Sequence, residues 1–214
     1  NSNGASIPTT GGVMSSFYGS PSAVTIIVTG STTFTYSNGT TSTSNDTIIS
    51  YASYSVPSGQ KLTGVVIGSN VTRIELYAFT GESSLTSVTF AEGSQLTSIG
   101  QYAFQLAASL TSITIPASVT SIGNYAFSVT GLTSIAIPAG VTSISEGAFY
   151  GASSLTSITI HSGVTSIGNT VFYQTSSLTS ITIPASVTSI GYSAFQQSGL
   201  TSITIPASVT SIGN

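Results

Sequence analysis

The sequence predicts a repeat solenoid: a stack of coils that lend short parallel strands to one shared core, closed at its start by a small β-rich cap. Three observations carry that prediction. The text "SLTSITIPASVTSIGNYAF" at residues 109–127 returns with small changes from Ser154, from Ser177 and from Gly199. Apolar and hydroxyl residues alternate inside each copy, with the two-residue period of a strand. Charge is almost absent, at 7 charged residues in 214, while 77 residues are Ser or Thr.

Residues 1–60 lack the repeat and read as the cap or docking segment. "NSNGASIPTTGG" at the start is expected to be flexible or extended. "AVTIIVTG" and "TIISYASYSV" read as strands, and "TTFTYSNGTTS" as a hairpin turning at Asn38-Gly39.

Residues 61–214 form the solenoid. Its copies align on Leu62, Leu85, Leu110, Leu132, Leu155, Leu178 and Leu200, at spacings of 23, 25, 22, 23, 23 and 22. A period of about 20–29 residues with L-x-x-I-x-I is the leucine-rich-repeat signature. In the copy at Leu110, the residues Leu110, Ile113 and Ile115 point inward along a short strand, and Ser112 and Thr114 point outward. Pro116 ends the strand because it has no N–H to donate. Val119 and Ile122 turn inward again, Gly123 permits a tight bend, and Phe127 reaches the back of the coil. The Phe recurs in register as Phe79, Phe104, Phe127, Phe149, Phe172 and Phe195, preceded by Ala except at Val171. A column of Phe fills a solenoid core.

The pattern L-x-x-I-x-I-P-x-x-V-x-x-I-G-x-x-A-F, from Leu62 to Asn214, resembles the BspA-like leucine-rich repeats of surface proteins. That resemblance implies an extracellular or cell-surface location and a role in adhesion. Members of the family often carry a Cys a few residues after the Phe, where this chain reads "SVTG", "YGAS" or "YQTS". The copies are also unusually uniform and uncharged, which favours a structural role.

Composition excludes several functions. A total of 2 Lys plus Arg cannot neutralise many phosphates, so neither nucleic acid nor an anionic membrane surface is expected as a partner. No apolar run approaches the ~20 residues needed to span a bilayer. With no Cys there is no disulfide scaffold and no thiolate metal site.

Chemistry is hard to find, and no catalytic, cofactor or metal site is expected. His161, the only histidine, stands at the Pro position of its copy and reads as a surface substitution. Asp46, Glu75, Glu82, Glu92 and Glu146 fall at no spacing that predicts a catalytic pair. Lys61 and Arg73 are isolated, and there is no G-x-S-x-G elbow or phosphate loop. An enzyme is therefore not expected.

What recurs outward is a ladder of hydroxyls: Ser112, Thr114, Ser157, Thr159, Ser180, Thr182, Ser202 and Thr204, with Ser134 and Ala136 as the exception. A second set runs beside it from Thr120 and Ser121 to Thr210 and Ser211. Such rows fit half-exposed strands and cross-bond between coils. They also suit O-glycans, a carbohydrate or protein partner, or ordered water as on ice-binding solenoids. The sequons at Asn38, Asn45 and Asn70 are N-glycan acceptors if the chain is secreted by a eukaryote.

The chain opens on Asn without a signal peptide, as a processed form or an excised piece would. The seventh copy supplies Leu200, Ile203, Ile205, Val209 and Ile212 and stops before its Phe. Either further chain follows, or residues 1–60 of a second copy complete the coil and build a head-to-tail filament. The leading expectation is thus an extracellular structural protein that self-associates into a glycosylated filament. The alternatives are a cell-surface adhesion module that binds a glycan or protein, and ice binding.

Overall fold

The computed structural model describes residues 30–213. The opening, expected to be flexible or extended, and nearly all of the "AVTIIVTG" strand lie outside the described residues.

The chain enters through a hairpin. β1 (Thr32–Tyr36) and β2 (Thr41–Ser44) pair antiparallel with Thr35 opposite Thr41. Gly39 takes φ +81 at the turn, and Asn38 Oδ1 accepts from Thr40 N at 3.0 Å and from its hydroxyl at 2.7 Å. β3 (Ile48–Ile49) follows. β1 also pairs antiparallel with β4 (Leu62–Ile67), which pairs parallel with β6 (Ser87–Phe90); between them comes β5 (Arg73–Ile74). The hairpin is therefore stitched to the first coil through their common sheet.

About seven coils follow, each with three sides. One side carries the Ser-Ile pairs. There β3, β5, β7 (Ser98–Ile99) and β8 (Ser121–Ile122) form one parallel ladder. Further along are β9 (Ser134–Ala136), β10 (Ser143–Ile144), β11 (Ser157–Thr159), β12 (Ser166–Ile167), β13 (Ser189–Ile190) and β14 (Ser211–Ile212). Of these, β10, β12, β13 and β14 form a second parallel ladder in the same Ser-Ile register.

The glycine of "TSIG" makes this side tight. A Cβ at Gly100, Gly123, Gly191 or Gly213 would stand 2.4–2.6 Å from the backbone of the coil before. Its absence lets each N–H reach back, as in Gly123 N to Ile99 O and Gly191 N to Ile167 O, both 2.8 Å. Ser145 occupies that position in the copy at Leu132. The two ladders part there, between β8 and β10, because the serine Cβ holds the coils apart. Its hydroxyl donates to Ile122 O at 2.5 Å in place of the backbone bond.

The second side is aromatic. Phe34, Tyr54, Phe79, Phe104, Phe127, Phe149, Phe172 and Phe195 form one stack with centroids 4.9–5.8 Å apart. Six of the Phe rings, Phe34 and those from Phe79 to Phe172, are wholly buried. A third backbone ladder flanks the column, for example Phe104 N to Ala126 O at 2.8 Å and Phe127 N to Ala148 O at 2.9 Å. Two residues per coil, four positions apart, take left-handed backbone to build it: Tyr77 and Gly81, Tyr102 and Leu106, Tyr125 and Val129, Gly147 and Gly151, Thr170 and Gln174, Ser193 and Gln197. For a non-glycine residue that conformation costs about 1–2 kcal/mol. The cost is offset because it aims each N–H at the next coil, as in Tyr102 N to Asn124 O and Leu106 N to Ser128 O.

The third side, "LTSITI", is more open than expected. Leu110, Ile113 and Ile115 are buried as the alternation predicts, but the expected strand forms only at β4, β6, β9 and β11. A copy pairs with the one before it where its apolar run is followed by Ala91 or His161, and not where Pro116, Pro138, Pro184 or Pro206 follows. In the copy at Leu85, Ala91 N donates to Ile67 O at 2.9 Å, a bond that proline cannot make.

"TIISYASYSV" is also not one strand. Only Ile48–Ile49 is extended; a short 3₁₀ turn at Tyr51–Ser53 follows, capped by Ser50. This stretch matches "TSIGNYAF" in register. Thr47 O accepts from Thr72 N at 2.7 Å, Ile49 is buried, and the Tyr54 ring lies 5.6 Å from that of Phe79. The stack thus begins at Thr47, ahead of Leu62, and the reading that placed a separate segment at 1–60 divides this coil.

Two outcomes follow from the packing. Gly191→Ala should lower the urea unfolding free energy by about 1–3 kcal/mol through overpacking, and Ser145→Gly, which exchanges the hydroxyl bond to Ile122 O for a backbone one, should change it by less than about 1 kcal/mol. A Gly191→Ala chain as stable as its parent would contradict the close approach. Phe127→Ala should cost about 3–5 kcal/mol in the same measurement, whereas a loss below about 1 kcal/mol, the scale of a minor packing change, would show that the column does not bear the stack.

Candidate functional surfaces

All eight members of the expected hydroxyl ladder, Ser112, Thr114, Ser157, Thr159, Ser180, Thr182, Ser202 and Thr204, are exposed on the open side. Among the described residues, none of their hydroxyls bonds to a neighbouring coil. The threonine one position before the outward serine behaves differently. Thr86 N and its Oγ1 both donate to Thr63 O at 2.9 Å, and Thr156 does the same to Thr133 O. On the Ser-Ile side, Thr97, Thr120, Thr165, Thr188 and Thr210 repeat this double bond, and Ser166 Oγ meets Ser143 Oγ at 2.8 Å. That second set therefore staples coils, while the first is free to meet solvent or a partner.

A groove of about 590 Å³ crosses the open side where the strand pairing stops after β6. Val88, Phe90, Ile113 and Pro116 line it, with Thr89, Ser112 and Thr114 among its hydroxyl residues. No charged side chain lines it, so it has no acid, base or metal ligand.

The titratable groups do not converge. His161 is exposed, and its Nδ1 accepts from Gly163 N at 3.2 Å. Arg73 pairs with Glu75 at 2.7 Å. Among the described residues, no three His, Cys, Asp or Glu side chains lie close enough to hold a metal ion. No helix there is long and apolar enough to cross a membrane.

One carboxylate is structural. Tyr54 donates to Ala78 O and reaches Glu82 Oε1, each at 3.0 Å. Burial raises the Glu82 pKa, against the opposing hydrogen bond from Tyr54. Burial, then the Glu82 charge and hydrogen bond, push the Tyr54 phenol up.

The three sequons differ. Asn38 and Asn45 are exposed, Asn38 at the hairpin tip. Asn70 is half-buried, and its Nδ2 donates to Asn45 O at 3.3 Å. In the last copy Leu200 and Val209 are half-buried, while Ile203, Ile205 and Ile212 are 37%, 38% and 57% exposed.

Sequence reasoning missed a row of tyrosines on the aromatic side. Tyr77, Tyr102 and Tyr125 stack at 5.0 and 5.3 Å. Tyr150 continues the row at 6.1 Å and Tyr173 follows at 5.0 Å. Gly147 makes room for it, since a Cβ there would lie 2.1 Å from the Tyr125 ring. The sequence signal is the recurring Tyr before Ala-Phe, which moves to just after the Phe in the copies at Leu132 and Leu155.

Stacked coils with parallel ladders, an inward Leu and Ile pattern and a Phe column define a leucine-rich-repeat solenoid. The chain belongs to the BspA-type leucine-rich repeat family, whose model matches residues 15–128 and 97–214. Its fold is similar to that of a leucine-rich repeat protein from Bacteroides ovatus, at 24% identity and TM-score 0.64, over 85% of this chain and 60% of the other. A leucine-rich cell surface protein from Faecalibacterium prausnitzii is 29% identical at TM-score 0.52, over 92% of this chain and 52% of that one. A leucine-rich repeat protein from Eubacterium ventriosum is 24% identical at TM-score 0.55, over 80% of this chain and 51% of that one. The chain thus spans half to three fifths of the length of these proteins. No curated protein matches it.

Because the folded state holds Glu82 protonated more readily than the unfolded chain, its contribution to stability is present below the ordinary carboxylate pKa and lost as pH rises through the folded value. Glu82→Gln should be the more stable chain at neutral pH, and the gap should close below about pH 4.3, the ordinary Glu value. A gap that stays constant from acid to neutral pH in urea titrations would contradict this. In a eukaryotic secretory host, glycopeptide mass spectrometry should find Asn38 and Asn45 occupied ahead of Asn70, and equal occupancy would show that the Asn70 contact opens readily.

Proposed function

We propose that this chain is a surface-located structural protein, a rigid uncharged spacer that self-associates into filaments and carries glycans where its host glycosylates it. The observation that supports this reading most is the uninterrupted stack of eight aromatic rings flanked by backbone ladders. Such a stack resists bending and needs no ligand to hold its shape. With 7 charges in 214 residues, copies do not repel along a fibre. Surface location is supported by family membership and by the F. prausnitzii relative, a cell surface protein. Among the described residues, no arrangement of side chains supports an enzymatic role. Electron microscopy with analytical ultracentrifugation of the full-length native protein tests the reading: regular polymers are expected, and monomers at all accessible concentrations would overturn self-association.

An adhesive module is the second reading. The exposed Ser and Thr rows, the uncharged groove at Val88 and Ile113, and the tyrosine row favour it, because each offers side chains to solvent, and among the described residues only the Tyr125 hydroxyl of the row is bonded within the chain. Binding of the purified protein to intact cells or matrix, without polymer formation, would favour adhesion over the filament. Ice binding would need the free hydroxyls of the open side to order water, and thermal hysteresis of the purified protein measures that directly.

A further inference from the structure

We propose that the aromatic side binds an extended, uncharged polysaccharide of β-1,4-linked hexoses, laid along the stack axis with about one sugar per coil. This rests on the adhesive reading and names its ligand class. Setting aside residues before Leu62 and after Leu178, the large apolar side chains that stand exposed among the described residues all lie here. They are Leu76 at 47%, Tyr77 at 46%, Leu106 at 45% and Val129 at 38%. Between those bounds the other two sides leave no large apolar side chain so exposed.

The tyrosine row gives this side its chemistry. Its ring faces cover one another, with interplanar angles of 6° and 12° between Tyr77, Tyr102 and Tyr125, so edges and hydroxyls are what a ligand meets. Tyr125 reaches Glu146 Oε1 at 3.2 Å; the hydroxyls of Tyr77, Tyr102, Tyr150 and Tyr173 have no partner among the described residues. A phenol both donates and accepts, as a sugar hydroxyl does. The row is also fixed in advance: Tyr77, Tyr102, Tyr125 and their flanking Leu106 and Val129 sit at left-handed positions whose N–H groups are tied to the next coil. A ligand therefore orders little on binding.

Charge and spacing select the ligand. The two cations, Lys61 and Arg73, are not in the row, and Arg73 is paired with Glu75. An anionic polymer would find nothing to neutralise it. Successive rungs lie 5.0–6.1 Å apart. An extended β-1,4-linked hexose chain advances by about one such rung per sugar and turns over at each linkage, so each sugar meets a rung and equivalent groups recur at every second one. A helical α-1,4 chain does not keep this register, and a folded protein without repeats has no such period.

Isothermal titration calorimetry of the full chain with cello-oligosaccharides of two to six units tests this. Affinity is expected to rise at least about tenfold, or 1.4 kcal/mol, from two units to five, with maltohexaose much weaker. Tyr77→Asn with Tyr102→Asn keeps side chains that tolerate left-handed backbone and should weaken cellohexaose about tenfold, a loss of 1.4 kcal/mol. Should that variant melt early, Leu106→Asn takes its place with the same expectation. His161→Asn, away from the tyrosine row, should bind as the parent does. No heat with cellohexaose, affinity independent of length, or unchanged binding by the aromatic-side variants would overturn the assignment. Attachment to intact cells that survives in those variants would likewise overturn it, while leaving adhesion standing; loss of attachment in every chain would defeat adhesion itself.

Discussion

A coil of 22–25 residues cannot satisfy its own backbone. Its N–H and C=O groups point along the stack axis, and only a neighbour one rise away can pair with them. Every other feature answers that constraint. The "TSIG" glycine exists because a Cβ would keep the neighbour too far off, and the left-handed pairs exist because they turn amides toward the next coil. The Phe column sets the same spacing from inside, with successive rings at 5.2–5.8 Å. Threonines add a second donor to carbonyls already in the ladder, for instance at Thr165 and Thr188.

The three sides obey the constraint unequally, and that inequality distributes function. The aromatic side is tied rung by rung, and the Ser-Ile side at every rung but the one between β8 and β10. The open side carries a proline in four copies and gives up pairing there, leaving free hydroxyls and a shallow groove. The aromatic side keeps its backbone closed but puts tyrosine edges and aliphatic side chains into water. A repeat this uniform thus presents three chemically distinct faces, each periodic along one axis. That suits a partner that is itself periodic, such as another copy or a linear polymer, and gives an irregular partner little to recognise.

Much of the fold was legible because the repeat states it many times. The inward Leu110, Ile113 and Ile115, the outward Ser112 and Thr114 and the Phe register all follow from period and alternation, and the structure places them so. Three things were not legible, each for a physical reason. The left-handed positions were hidden because only Gly81, Gly147 and Gly151 among the twelve are glycine. The first coil was hidden because it replaces the usual glycine and phenylalanine with Ser50 and Tyr54, which the packing accepts beneath Phe79. The tyrosine row was hidden because it changes position between Tyr125 and Tyr150, a shift that only three-dimensional stacking reconnects. The strand expected in every "LTSITI" fails for a subtler reason, since pairing depends on a donor that proline removes from the neighbouring residue.

Native-state hydrogen exchange tests the central claim most directly, because it reads each rung separately. The amides of Gly123, Phe127 and Gly191, tied to neighbouring coils at 2.8–2.9 Å, should exchange only with global unfolding. The amides of Ser112, Thr114, Ser180 and Thr182 on the open side should exchange orders of magnitude faster. Equal protection on all three sides, or slow exchange confined to the open side, would contradict an account in which two tied sides hold the stack and the third is left free.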